Sequence, residues 1–182
     1  MAVVLERFAE QARTVVADTM ATAQAQGIAE VRAEHLLLSL TRVADGATAA
    51  ALAENHLDEA LVARVVRGPE QLVDDEDRAA LGALGIDVDE LMARLEEGLG
   101  ADALAPVPST GVRRPRFTKE AKKALEMAVR TTTGRHARTI TTDDLLVGIV
   151  RAGSPGVAQV LAAAGTDGDT VVASVRRQSG AA

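Results

Sequence analysis

The sequence contains one pattern twice, first from Phe8 to Arg67 and again from Phe117 to Arg176. A shift of 109 positions aligns the two copies without a gap, and the only Phe, Tyr or Trp residues of the chain, Phe8 and Phe117, coincide. Other coinciding pairs include Ala12 with Ala121, Leu36 with Leu145, Leu37 with Leu146, Arg42 with Arg151, Leu52 with Leu161, Asp58 with Asp167 and Val62 with Val171. Two copies are few for a stacked solenoid, so we expect a pseudo-twofold pair of halves that share one core.

The composition favours helices. Hydrophobic residues make up 47% of the 182 residues, alanine dominates among them, and Tyr and Trp are absent. Alanine has the highest helix propensity, whereas sheets are built on β-branched and aromatic residues. We therefore expect an all-α protein.

Charge and cysteine content exclude several kinds of partner and site. The formal net charge of −6 disfavours nucleic acid, whose binding requires clustered cations. The absence of cysteine excludes disulfides, thiol catalysis and cysteine-based metal sites, and it fits a reducing compartment. Charged residues interrupt the N-terminal region, and no apolar run approaches the roughly 20 residues of a membrane span. We expect a soluble, cytoplasmic protein with no membrane partner.

The spacing of apolar residues predicts four helices in each copy. They span 5–26, 33–43, 47–55 and 59–67 in the first copy, and in the second 117–135, 143–151, one that opens at Pro155 and one that Asp167 caps. Further predicted N-caps are Asp58, Thr118 and either Thr141 or Thr142. Their side-chain oxygens can accept hydrogen bonds from the free amides of a helix start.

The stretch between the copies predicts two more segments. Residues 81–95 are similar to 161–175, so we predict an inserted helical half-repeat at 68–99 that packs on the rest of the domain. Its acidic run at 74–77 is either a cation or arginine site or the solvated start of a helix.

A flexible linker is predicted at 100–116, which is rich in Ala, Pro, Ser and Gly. Its terminal arginines are either a polyanion contact or a solvated linker end. With 1–67 as the first repeat and 117–178 as the second, the segments are expected to form one domain.

The residues of common catalytic and cofactor sites are absent or wrongly spaced. The lysines are confined to 119, 122 and 123, and none follows a glycine as in a phosphate-binding loop. His35, His56 and His136 lack a second ligand at the spacing of a helical zinc site. Asp143 and Asp144 are adjacent, so they diverge by about 100° on a helix, and helix-start electrostatics explains them. We expect no enzyme, no cofactor and no metal.

Phe8 and Phe117 have two interpretations. They are either core anchors at the helix starts or surface contacts for a peptide or another protein, since exposed apolar patches mark interaction sites.

Three stretches resemble a known family. They are Arg7-Phe8 with Ala12 at the start of the first helix, Glu-His-Leu-Leu-Leu at 34–38, and Phe-Thr-Lys-Glu-Ala-Lys-Lys-Ala-Leu-Glu at 117–126. They resemble the Clp N-terminal domain, the double-repeat module at the front of the ClpC and ClpA unfoldases. The resemblance covers both repeats, whereas the half-repeat at 81–95 departs from the simplest form of that domain. No ATPase ring is present, so we expect either a free-standing protein or a piece of a longer one.

The resemblance implies a docking function. Domains of this family receive adaptors or substrates that the unfoldase passes to the ClpP peptidase, so the implied partners are a ClpC-type unfoldase, adaptors or substrates. We assign the protein-binding surface to Leu5, Phe8, Phe117 and Lys119. Some ClpC N domains are also targets of cyclic peptide antibiotics, and a free copy could sequester such compounds.

The resemblance also implies phosphoarginine binding, with one pocket in each repeat. A Glu just inside the second helix pairs with the guanidinium, and a Thr after the first-helix aromatic assists with the phosphate. Grouped by repeat, Glu34 is accompanied by Ala9 in the first pocket, and Thr118 is accompanied by the shorter Asp143 in the second. Each pocket is thus expected to keep half of the pattern, so the candidate phosphoarginine residues are Glu34, Thr118 and Asp143.

Overall fold

The computed structural model describes residues 7–67 and 114–180. Within them lie the following helices and strands: α1 (Glu10–Ala25), β1 (Glu30–Val31), α2 (Ala33–Val43), α3 (Gly46–Glu54), α4 (Glu59–Arg67), β2 (Arg116–Phe117), α5 (Lys119–Gly134), α6 (Thr142–Ala152), α7 (Pro155–Ala163) and α8 (Gly168–Gly180). The all-α prediction is confirmed, since the strands are only two residues each. The predicted half-repeat at 68–99 and nearly all of the predicted linker lie outside the described residues.

The helix bounds repeat along the chain. Shifting α1, α2 and α3 by 109 positions gives the bounds of α5, α6 and α7, and α4 and α8 begin at matching positions. The predicted caps are present: Asp58 accepts from the amide of Leu61 at 2.8 Å, and Thr118 accepts from the amide of Ala121 at 3.3 Å. Of the two candidates at the start of α6, Thr141 is the cap.

The first helix of each repeat starts later than predicted. We expected helices from residue 5 and from residue 117, but α1 begins at Glu10 and α5 at Lys119. Phe8 pairs with Ile140 in a parallel bridge, and Phe117 pairs with Val31 in the parallel β1–β2 ladder. Extended backbone at these positions cannot also be helical, so the strand contacts set the helix starts.

These pairings exchange partners between the repeats. Phe8 and Phe117 are equivalent positions, and so are Val31 and Ile140. The phenylalanine segment of each repeat therefore pairs with the β-branched residue of the other repeat. This reciprocity is what a local twofold relation produces. The described residues 7–66 and 114–180 form one compact unit. Its core includes the fully buried Leu36, Leu37 and Leu40 of α2 and Leu145, Leu146 and Ile149 of α6.

Candidate functional site

The β1–β2 ladder brings two predicted site residues of different repeats to one place. The amide of Thr118 donates to the carbonyl of Val31 at 2.9 Å. Val31 lies three residues before Glu34, which is on the first turn of α2. The start of α5 and the start of α2 are therefore neighbours, and we call this place the Thr118–Glu34 junction.

The equivalent junction holds Ala9 and Asp143. The amide of Ala9 donates to the carbonyl of Ile140 at 2.8 Å, and Asp143 follows three residues later on α6. The grouping by repeat is thus corrected by the strand pairing. One junction combines Glu with Thr, and the other combines Asp143 with Ala9.

Glu34 is buried and already bound to a guanidinium. Glu34 is 4% exposed, and its Oε1 lies 3.0 Å from Nε of Arg32. Gly156, at the start of α7, covers the carboxylate so closely that a Cβ there would collide with it. A buried carboxylate needs a charged partner to offset its desolvation, and Arg32 is that partner.

Arg32 reaches across the start of α2. Its Nη2 donates to the carbonyl of Val66 at 3.4 Å, while its side chain stays 52% exposed. Its backbone amide donates to Nδ1 of His35 at 3.0 Å. Burial, followed by the charge of Arg32, lowers the pKa of His35. The neutral imidazole that results is the form able to accept this bond.

Asp143 has hydroxyl partners instead of an arginine. The hydroxyl of Thr48, on α3 of the other repeat, donates to its Oδ1, and the hydroxyl of Ser179 donates to its Oδ2 at 2.7 Å. The residue is half-buried. Its carboxylate therefore ties α6 to helices α3 and α8.

The predicted protein-binding residues have different exposures. Phe8 is 3% exposed, so burial favours the core interpretation for this residue. Phe117 is half-buried and packs against the core, while Lys119 is exposed on the first turn of α5. Leu5 lies outside the described residues.

Two features of the site were missed from the sequence. One is Arg32 as the partner of Glu34; the available signal was its position two residues before a buried acid. The other is the exchange of segments between repeats. Its signal was the β-branched residue, Val31 or Ile140, found at the same position in both copies.

Within residues 7–67 and 114–180, no group of three or more His, Cys, Asp or Glu side chains is arranged to hold a metal ion. Among the described helices, none combines the length and apolar composition that crossing a membrane would require.

Solved structures with a similar fold include the following two. The N-terminal domain of the caseinolytic protease associated chaperone ClpD from Arabidopsis thaliana is 18% identical, with 97% of this chain and 96% of that chain covered and a TM-score of 0.54. A chain from a structure described as a peptide from the EAEC T6SS Sci1 SciI protein is 17% identical, with coverages of 89% and 84% and a TM-score of 0.52. At these identities the likeness shows the fold alone.

The sequence comparisons gave one match. No curated protein matches the chain. The family model described as the Clp repeat (R) N-terminal domain matches residues 70–164, which is more than half of the 182 residues. The chain therefore belongs to the Clp repeat (R) N-terminal domain family.

Proposed function

We propose that this chain is a non-catalytic protein-binding module of the Clp system, which binds substrates, adaptors or the ClpC and ClpP machinery and modulates proteolysis. The observation that carries the proposal is the family match over residues 70–164. The likeness of fold to a Clp-associated chaperone domain supports it.

The start of α5 supplies the proposed docking surface. Phe117 offers a half-buried aromatic ring, and the exposed Lys119 lies two residues further on. An aromatic ring is an anchor suited to protein contact, and the exposed Lys119 would lie at the polar rim around it. Leu5 remains part of this prediction, whereas Phe8 is buried in the core.

The test is direct binding to purified ClpC and ClpP, with Lys119→Glu compared against Lys123→Glu. Both variants reverse one exposed lysine charge on α5, about 6 Å apart along the helix. We expect saturable binding that Lys119→Glu weakens and Lys123→Glu leaves nearly unchanged. The absence of binding to both proteins would contradict docking on the ClpC and ClpP machinery, and equal effects of the two variants would contradict this surface.

A second candidate function is sensing of phosphoarginine at the Thr118–Glu34 junction. It is favoured by one specific observation: the buried carboxylate of Glu34 already binds the guanidinium of Arg32. A ligand guanidinium would take the same carboxylate, and the Thr118 hydroxyl with the free amides of the α5 start would suit its phosphate.

Arg32 makes this second function testable in two directions. Because Arg32 competes for Glu34, Arg32→Gln should tighten phosphoarginine binding in a calorimetric titration. Glu34→Gln should weaken it by about ten- to a hundredfold, the effect of losing a charge-assisted contact of about 1.5 to 3 kcal/mol. Glu59→Gln, which removes an arginine-paired carboxylate outside both junctions, is the control. An absence of heat at millimolar ligand would exclude phosphoarginine while leaving the Clp role standing.

A sequestering role toward cyclic peptide antibiotics stays a variant of the proposal. It rests on the same face, with Phe117 as its apolar contact. Titration of such a compound into the wild-type chain and into Lys119→Glu would test it.

A further inference from the structure

A groove of about 580 Å³ lies between the C-terminal half of α5, helix α6 and the end of α8. We call it the second-repeat groove. Its apolar lining comes from Met127, Val147 and Val175. Its charged lining residues are Arg130, Arg135, Arg151, Arg176, Asp143 and Asp144. Arginine therefore outnumbers aspartate in the groove of a protein whose net charge is negative.

One of the four arginines is neutralised inside the groove. Arg135 makes a two-point contact with Asp144, through Nε to Oδ1 at 3.1 Å and Nη2 to Oδ2 at 2.7 Å. Asp143 accepts its hydrogen bonds from hydroxyl groups and is bound to none of these arginines.

The other three arginines are available. Arg130, Arg151 and Arg176 are exposed, and none has a hydrogen-bond or ion-pair partner within residues 7–67 and 114–180. They come from three different helices, so the fold converges their charges on one groove while leaving them unpaired.

In the first repeat, the arginine equivalent to Arg151 has an ion-pair partner. Arg42 is equivalent to Arg151, and its Nε lies 2.6 Å from Oε1 of Glu59. The position equivalent to Glu59 is Gly168, so Arg151 has lost the matching partner. The position equivalent to Arg130 is Ala21. At positions 130 and 151 the unpaired cation is therefore a property of the second repeat and not of the repeat pattern.

We propose that the second-repeat groove binds an acidic peptide segment of a partner protein. Carboxylates of the segment pair with the three free guanidinium groups, and an apolar side chain between them covers the lining of Met127, Val147 and Val175. The volume suits a few residues of peptide, and the guanidinium fork suits carboxylates. This inference rests on the proposed protein-binding role and names the chemistry of the partner.

The test uses a fluorescein-labelled peptide in which glutamate alternates with leucine, titrated into the full chain and followed by anisotropy. Each of Arg130→Gln, Arg151→Gln and Arg176→Gln should weaken binding by about 2- to 5-fold, as for exposed ion pairs. The triple variant should lose about ten- to a hundredfold if the effects add. Added salt should weaken binding to the wild type.

Arg42→Gln is the matched control, since it removes one arginine charge at the position equivalent to Arg151. It should leave the affinity unchanged within about twofold. Equal weakening by Arg42→Gln and Arg151→Gln would overturn the proposal, and so would equal binding of a peptide with glutamine in place of glutamate. Single-stranded DNA that binds as tightly as the peptide would show that the groove binds polyanions in general. That result would overturn its assignment to an acidic peptide. Because no Clp protein is present, failure here is distinguishable from failure of the Clp role.

Discussion

At the scale of single residues, the second helix of each repeat is capped by a different chemical group. In both helices the side chain of the third residue accepts a hydrogen bond from the N-cap amide. The third residue of α2 is His35, and the third residue of α6 is Asp144. Nδ1 of His35 accepts from the amide of Arg32 at 3.0 Å, and Oδ2 of Asp144 accepts from the amide of Thr141 at 3.1 Å. The carboxylate accepts in its charged form, whereas the imidazole accepts only while its Nδ1 is unprotonated.

This difference predicts a pH dependence of stability from His35. Its pKa in the folded protein is lowered from 6.5, mainly by burial, so between the two values the unfolded chain binds more protons than the folded one. The free energy of unfolding should therefore fall as the pH drops below about 6.5. His35→Asn keeps an acceptor but does not titrate, so it should remove this component.

Urea unfolding at pH 7.5 and pH 5.5 measures the effect. The exposed carboxylates Glu54 and Asp167 have ordinary pKa values of 4.5 and 3.8, and the fold lowers both pKa values. They therefore titrate at lower pH than His35 and do not contribute to the difference between pH 7.5 and pH 5.5. An unchanged difference between the two pH values in His35→Asn would contradict the assignment.

The other two histidines have a backbone role. His56 and His136 lie in the left-handed region, with φ of 56° and 57°, and the equivalent residues of the other repeat are Gly165 and Gly27, with φ of 69° each. Glycine adopts this conformation without the steric cost of a Cβ. Each repeat thus has a left-handed residue at two turns. Where that residue is histidine, its Cβ adds a steric cost.

We expect His56→Gly to raise the free energy of unfolding by about 0.5 to 1 kcal/mol, because relief of the strain exceeds the added chain entropy. Gly165→His, the reverse change at the equivalent turn, should lower it. Chemical denaturation of both variants tests the pair. A loss of stability in His56→Gly would show that its imidazole makes a stabilising contact.

At the scale of helices, the packing of α5 on α6 depends on small residues. Ala124 and Ala128 of α5 are fully buried, and a Cβ added to Gly148 of α6 would lie 2.5 Å from the carbonyl oxygen of Ala124 and 2.5 Å from the amide nitrogen of Ala128. Both atoms are backbone, so no side-chain rotation can make room. The two helices approach each other this closely only because residue 148 has no side chain.

Gly148→Ala should therefore lower the free energy of unfolding by about 1 to 3 kcal/mol, the usual cost of overpacking. The matched control is Gly134→Ala at the end of α5, where an added Cβ would have nothing within 4 Å. The control should be neutral or stabilising by up to about 1 kcal/mol, because alanine favours helix. Thermal and urea unfolding compare the two, and equal effects would contradict the close approach.

Helices were predictable from the sequence where local signals decide them. The prediction for 33–43 matches α2, and Pro155 and Asp167 open α7 and cap α8 as expected. The starts of α1 and α5 were wrong because Phe8 and Phe117 are held extended by partners far away in the chain. Amphipathic spacing cannot reveal a two-residue strand that pairs with a distant segment.

At the scale of the whole molecule, the repeats are joined by more than their strands. Asn55 is buried at the end of α3, and its amide nitrogen donates to the hydroxyl of Ser174 on α8 at 3.1 Å. Its carbonyl oxygen accepts from the hydroxyl of Thr166 at 2.9 Å. This buried polar link joins the first repeat to the second and is fully satisfied, as buried polar groups must be.

The pairing of each phenylalanine segment with the other repeat also decides which site residues could be predicted from the sequence. Glu34, Thr118 and Asp143 could be named from local motifs, but their grouping could not, because it depends on which repeat each strand pairs with. The pairing of Thr118 with Val31 places Thr118 beside the helix of Glu34. Arg32 was missed for a similar reason, since its partners Glu34 and Val66 come together only in the folded domain.

We propose that this chain acts on Clp proteolysis by binding, without catalysis of its own. The most direct measurement is the rate at which ClpC and ClpP degrade a model substrate as the chain is added, with Lys119→Glu and Lys123→Glu as the test and control variants. We expect a saturable change in rate, smaller for Lys119→Glu than for Lys123→Glu. A rate that stays constant at every concentration of the chain would contradict the claim.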